Sequence, residues 1–105
     1  MSEKLDLDIR TPIELITIKA IARLIRGARG TCIYVSPQKI ARTIGLPIKA
    51  VVLSEVRYTL EKLVHLGYAT YVGKRSRKHT YVITNESKLW KIVKGQVVRP
   101  NEANA

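Results

Sequence analysis

A short basic segment is the part of this sequence whose residue types and spacing most directly suggest chemistry. Within residues 73–79, four cations fall in five positions: Lys74, Arg75, Arg77 and Lys78. Neighbouring cations repel one another, and phosphates are anions that Arg and Lys bind through charge-assisted hydrogen bonds. The segment therefore predicts a loop that grips a nucleic-acid backbone or enters a minor groove, with His79 adding charge in acid. A merely solvated loop is the alternative interpretation.

The distribution of charge along the chain supports a polyanionic partner. Nineteen Lys and Arg face eight Asp and Glu, which gives a formal net charge of +11. No acidic residue occurs from Leu15 to Ser54, or from Lys62 to Asn85. A surface that only keeps a protein soluble would intersperse both signs. The segregation therefore predicts a nucleic-acid partner.

Residues that could support catalysis or bind a metal are not grouped in the sequence. The eight acids are scattered, and four of them fall within the first fourteen residues. His65, His79 and Cys32 lack the spacing of zinc ligands. No glycine-rich phosphate loop is present, and the serines have no accompanying base. We therefore expect no catalytic residue, no metal and no cofactor.

The single cysteine and the apolar runs bear on the compartment. Cys32 excludes an intramolecular disulfide, so it is either a small buried hydrophobe or one half of an intermolecular bridge. The first ten residues are mostly charged, and no apolar run approaches the length of a membrane span. The sequence therefore predicts a cytoplasmic, nucleoid-associated protein of one domain, residues 11–94, with a flexible N-terminus, 1–10, and a tail, 95–105.

Capping signals and periodicity predict the elements that position the basic segment. Thr11, Pro12 and Glu14 form the pattern of a capping box, so a first helix begins there and runs to about Arg29. Its apolar residues recur at helical spacing, and its cations form one outer stripe: Lys19, Arg23 and Arg26. This stripe is either solvated or in contact with a phosphate backbone.

The rest of the chain alternates between strand and helix patterns. A second helix starts at the capping Ser36 and Pro37 and ends before Gly45. The third either extends over about 48–66 or begins later, with Ser54 as its cap; we favour the longer helix. The remaining predicted elements are strands at 31–35, 68–72 and 80–83, a long basic loop at 73–79, and a last helix at about 86–94.

Three motifs of this sequence resemble those of the winged helix-turn-helix proteins of archaeal and bacterial transcription. Ile40-Ala41-x-x-Ile44-Gly45-Leu46 is similar to their positioning helix and turn, and Val56-Arg57-Tyr58-x-Leu60-x-x-Leu63 to their recognition helix. Leu66-Gly67 and the basic hairpin follow, as the wing does in that family. The resemblance covers about residues 12–94. About five additional residues, 48–53, separate turn and recognition helix, which leaves open which residues enter the groove first.

The resemblance implies an α+β winged helix-turn-helix fold: three helices with a three-stranded antiparallel sheet and a C-terminal helix. It implies binding of double-stranded DNA, with the third helix in the major groove and the wing on the backbone or minor groove. With its apolar face inward, that helix presents Lys49, Ser54, Arg57, Tyr58 and Glu61. The candidate DNA-binding residues are Lys39, Lys49, Ser54, Arg57, Tyr58, Lys74, Arg75, Arg77 and Lys78.

Arg57 is the candidate for base contact, because its planar fork matches guanine O6 and N7. Ser54 and Tyr58 suit phosphates or thymine methyl groups. The competing interpretation is an ordinary (i, i+4) pair between Arg57 and Glu61, worth ~0.3–0.5 kcal/mol. A homodimer is expected from the resemblance, with Trp90 and its apolar neighbours Leu89 and Val93 forming either the dimer contact or part of the core.

Three other functions remain open at this point. A chromatin-like protein that coats DNA with little selectivity would also carry this charge. An RNA-binding or ribosome-associated winged helix would use exposed aromatics, but at least half of the tyrosines at 34, 68, 71 and 81 should face the core. A protein-interaction module, such as a polymerase subunit, would not need a basic wing. The leading hypothesis is a transcription regulator.

Overall fold

The computed structural model describes residues 9–95, and the predicted flexible ends, 1–10 and 95–105, lie almost entirely outside them. Four helices and three strands follow one another in the described part of the chain. Their order is α1 Pro12–Gly27, β1 Cys32–Val35, α2 Pro37–Ile44, α3 Ala50–His65, β2 Thr70–Arg75, β3 Lys78–Thr84 and α4 Lys88–Val93. Each predicted element is present, with corrected ends.

The capping signals read from the sequence act as expected at the first two helices. The Thr11 hydroxyl accepts from the Glu14 amide, and the Glu14 carboxylate accepts from the Thr11 amide. Ser36 accepts from the Lys39 amide at the start of α2. Helix α1 ends at Gly27 rather than at about Arg29, because Ala28 is already extended, with φ −75° and ψ 133°.

The third helix is a single element, as the longer of the two alternatives predicted. It begins at Ala50 after the N-cap Lys49, so Ser54 lies inside the first turns instead of capping them. The predicted start at about residue 48 lies two residues too early. Ile48 precedes the N-cap, falls outside the helical periodicity and is 52% exposed.

The sheet is antiparallel throughout, with the strands in the order β1-β3-β2. Strand β1 pairs with β3, placing Val35 opposite Tyr81 and Ile33 opposite Ile83. This pairing completes the three-stranded antiparallel sheet that the sequence analysis expected. The order gives an α+β architecture of four helices and a three-stranded antiparallel sheet, compatible with a winged-helix-like layout.

The prediction of a long loop at 73–79 was wrong. Gly73, Lys74 and Arg75 are paired with Thr80, His79 and Lys78 on the opposite strand. Only Ser76 and Arg77 form the turn, and both have positive φ, 53° and 66°. Two successive residues of positive φ match the right-handed twist of a hairpin, so a two-residue turn closes the strands even without Gly. Most of the hairpin cations are therefore held on β-strands.

The core lies between the four helices and the inner face of the sheet, with Ile40 as the contribution of α2. Its largest fully buried side chains include Ile21, Leu60, Ile83 and Trp90. Trp90 is only 2% exposed and Leu89 only 1%, so these two residues pack in the core of their own domain. This resolves the alternative left open for Trp90, and the predicted homodimer would need a contact surface elsewhere.

Within residues 9–95, no helix combines the length and the apolar character that crossing a bilayer requires.

Candidate nucleic-acid interface

The outward side of α3 matches the sequence prediction. Its five predicted members are all exposed: Lys49, Ser54, Arg57, Tyr58 and Glu61. Ser54, Arg57, Tyr58 and Glu61 together line an open depression on the surface of the helix. The side therefore combines a cation, a hydroxyl, a phenol and a carboxylate within reach of one another.

Sequence reasoning missed an apolar member of the same side. Val51 is 71% exposed and lies one turn before Ser54 and two turns before Tyr58, so all three follow one line along the helix. The helical register could have revealed it, because positions 51, 54 and 58 repeat at three and four residues. An exposed valine beside a cationic surface can contact apolar groups such as the methyl of thymine.

The hairpin cations occupy alternating faces of the sheet. Lys74 pairs with His79, whereas Arg75 pairs with Lys78 in the next register position, so the two pairs point to opposite faces. Lys74, Arg75 and Arg77 are exposed, and Lys78 is half-buried. The Arg75 guanidinium lies 5.2 Å from the centroid of the Tyr34 ring, a cation–π contact that sequence reasoning did not find.

A buried tyrosine connects α3 with the hairpin. The Tyr81 hydroxyl donates to Glu61 Oε2 over 2.5 Å, while its ring packs edge-to-face on Tyr71 at 5.2 Å between centroids. Burial, reinforced by the adjoining Glu61 carboxylate, raises the pKa of Tyr81 to about 12. Tyr81 therefore stays protonated as a donor, and Glu61 is held by the sheet. The (i, i+4) interpretation had instead assigned Glu61 to Arg57.

His79 lies in the hairpin on the side that adjoins α3. Burial lowers the pKa of His79, and the positive charges of Arg57 and Lys74 lower it further. Its Nδ1 is 2.9 Å from the Tyr71 hydroxyl. His79 is the strand partner of Lys74, and Tyr71 joins it to Tyr81, which donates to Glu61 of α3. The structure therefore brings the face of the hairpin that carries Lys74 next to α3, whereas Arg75 and Lys78 lie on the other face. The lowered pKa also means that His79 gains its charge only at a lower pH than an ordinary histidine.

Lys39 lies on α2, at the edge of this region. Its ammonium donates to the Tyr34 carbonyl over 3.0 Å, and the ring of the same Tyr34 contacts Arg75. The side chain of Lys39 is exposed. Tyr34 therefore links a cation of α2 to a cation of the hairpin.

Lys62 has a structural partner, although the sequence places it in an acid-free stretch. Its Nζ is 3.0 Å from Glu14 Oε2, and the Glu14 side chain is 4% exposed. Sequence reasoning assigned Glu14 to the capping box alone, because a partner 48 residues away leaves no local signal. This ion pair joins α1 to α3.

Within residues 9–95, no cluster of three or more His, Cys, Asp or Glu has the geometry of a metal site. Cys32 is a free, half-buried cysteine in β1. No protein-family model, no curated protein and no solved structure matches the chain.

Proposed function

We propose that this chain binds double-stranded DNA as a winged helix domain and acts as a transcription regulator. In this proposal α3 enters the major groove, and the hairpin β2–β3 lies on the adjacent backbone or in the minor groove. The observation that carries it is the contact between the hairpin and α3: Tyr81 of β3 donates a hydrogen bond to Glu61 of α3. Its ring packs on Tyr71, which hydrogen-bonds to His79, the strand partner of Lys74. A single duplex can contact both surfaces when they adjoin.

The dimensions and anchoring of α3 support the same proposal. A helix of 16 residues is about 24 Å long and about 10 Å wide, and the major groove, about 12 Å wide, admits one such helix. The opposite side of α3 is fixed in the core by Val56, Leu60 and Leu63. A reading helix must be held rigidly, because base contacts depend on its orientation.

Low-selectivity coating of DNA is the second candidate. The residues of α3 include neither Asn nor Gln, the side chains that read adenine through paired hydrogen bonds. Of its exposed polar residues, Arg57 alone offers a bidentate fork to guanine. Such a face suits both a regulator with a short recognition element and a protein that coats DNA.

Mobility-shift titrations with duplex DNA, single-stranded DNA and RNA, each at several salt concentrations, test the proposal. Tightest binding to duplex is expected, with a log–log salt slope near −5 if about six phosphates are contacted, because each contributes about −0.9. RNA binding is the alternative that this assay tests, because Tyr34, Tyr58 and Tyr71 are exposed and unstacked RNA bases stack on aromatic side chains. Tighter binding to RNA, or a slope near zero, contradicts the proposal.

Replacing Arg57 by Ala separates selective from unselective binding. Loss of a bidentate guanine contact should cost roughly 1–3 kcal/mol at one base-pair position and leave affinity for random duplex nearly unchanged. The measurement is competition between a selected site and single-base variants of it. Ser54→Ala serves as the control, because it lies in the same depression without a bidentate group. An equal loss on every sequence would favour coating.

A further inference from the structure

A second basic surface lies on α1. Lys19, Arg23 and Arg26, here called the α1 stripe, are all exposed. At 3.6 residues per turn these three positions fall within a sector of about 60° on the helix. The sequence left open whether they are solvated or contact phosphates. The position of α1 in the fold favours phosphate contact over simple solvation.

The α1 stripe is turned away from α3. Helix α1 buries Ala20, Ile21 and Ile25, and α3 buries Val56, Leu60 and Leu63, in one common core. Helix α1 meets α3 through Glu14, which binds Lys62 over 3.0 Å. At 100° per residue, position 14 lies about 150° around α1 from the middle of the stripe. The stripe is therefore on the side of α1 that is turned away from α3, and α1 itself lies between the two.

The α1 stripe has no acidic residue on its own helix to offset it. The sequence contains no acid between Glu14 and Glu55, and the Glu14 carboxylate is buried against Lys62. Like charges spaced three or four residues apart destabilise a helix by ~0.2–0.5 kcal/mol per pair. Lys94 adds positive charge at the same end of α1, where its Nζ donates to the Ala28 carbonyl over 3.0 Å.

We propose that the α1 stripe binds the phosphate backbone of a second DNA duplex, so that one domain can hold two duplexes, one on α3 and the hairpin and one on α1. The stripe spans seven residue steps, about 10 Å. One DNA strand carries one phosphate per about 3.4 Å of duplex axis, so a stripe that lies along this axis faces about three phosphates. This proposal rests on the proposed function, since the first duplex occupies α3 and the hairpin.

The test is a capture assay with the full chain. One duplex is fixed to beads through biotin, the protein is added, and retention of a second, fluorescent duplex is measured. The stripe variant is Arg23→Gln/Arg26→Gln. Its control is Lys88→Gln/Lys91→Gln, which removes the same charge from exposed positions on α4. Exposed Gln is compatible with helices, so both variants should fold, which circular dichroism checks.

The wild type and the control should retain the second duplex. The affinity of the stripe variant for it should be roughly 60-fold lower, because two counterion-releasing contacts are lost, each equivalent to roughly eightfold at 0.1 M salt. The affinity of this variant for a single duplex in mobility shift should remain unchanged within about twofold. Equal retention by the stripe variant overturns the proposal, since bridging would then come from two α3 surfaces of a dimer. Loss of single-duplex affinity in that variant also overturns it.

A wild type that binds one duplex but retains no second also contradicts the bridging proposal and leaves the proposed function intact. Failure of the wild type to bind even one duplex contradicts the proposed function itself. The mobility shift and the capture assay therefore distinguish the two failures.

Discussion

Neutralising the four hairpin cations should lower the affinity for duplex DNA by about three orders of magnitude, with little dependence on base sequence. Each phosphate contact contributes about −0.9 to the log–log salt slope, which amounts to roughly an eightfold change in affinity per contact at 0.1 M salt. Four full contacts would lower the affinity by roughly 4,000-fold. Arg75 also contacts the Tyr34 ring and Lys78 is half-buried, so a loss of about three orders of magnitude is expected.

The turn conformation decides how this variant is built. Lys74, Arg75 and Lys78 are replaced by Gln, whereas Arg77, with φ 66°, is replaced by Asn, which tolerates a left-handed backbone. The matched control removes four charges from exposed positions outside the hairpin, α3 and the α1 stripe: Arg29, Arg42, Lys88 and Lys91. Fluorescence anisotropy at several salt concentrations gives both affinity and slope. If the hairpin variant and the control behave alike, net charge rather than the hairpin explains binding.

Replacing Glu14 by Gln should lower the free energy of unfolding by about 2–3 kcal/mol at neutral pH. Removing one partner of a buried ion pair costs roughly 3–5 kcal/mol, and the partial exposure of Lys62, 20%, reduces that figure. Gln retains an oxygen that can accept from the Arg10 and Thr11 amides, at 2.6 Å and 3.2 Å in the wild type. The loss therefore reports mainly on the link between α1 and α3.

The stability difference between the wild type and Glu14→Gln should depend on pH. Burial acts to raise the pKa of Glu14, but hydrogen bonds from the Arg10 amide and from Lys62 outweigh it, and the pKa is lowered from 4.5. A lowered pKa in the folded state stabilises the protein above the unfolded pKa, and this stabilisation is lost as pH falls through the folded value. Urea unfolding at a series of pH values should therefore show the gap between wild type and Glu14→Gln closing in acid.

Glu86→Gln is the control for this experiment, because Glu86 is exposed; its stability should follow the wild type at every pH. A Glu14→Gln protein as stable as the wild type at neutral pH would show that the ion pair contributes nothing net. A gap that persists undiminished in strong acid would assign the loss to packing rather than to charge.

The sequence alone was sufficient to place the helices, the first strand and the outward side of α3, but it left most of the hairpin tip as loop. Helix caps, proline at the first helical turn and apolar spacing act within three or four residues, so the amino-acid sequence alone reveals them. Lys49, Ser54, Arg57, Tyr58 and Glu61 were predicted to face outward on this basis and do. The segregation of charge, which motivates a nucleic-acid partner, is equally a property of the sequence.

The tertiary structure decided which of these residues meet. Glu14 and Lys62 are 48 positions apart, and Glu61 and Tyr81 are 20 apart, so no local pattern links them. The turn at Ser76 and Arg77 arose from strand pairing, which overrides the preference of both residues for negative φ. Only packing could bring the hairpin against α3 and turn the α1 stripe away from that helix. Local periodicity determines how a residue faces its own element, whereas contact between distant elements depends on how the core is filled.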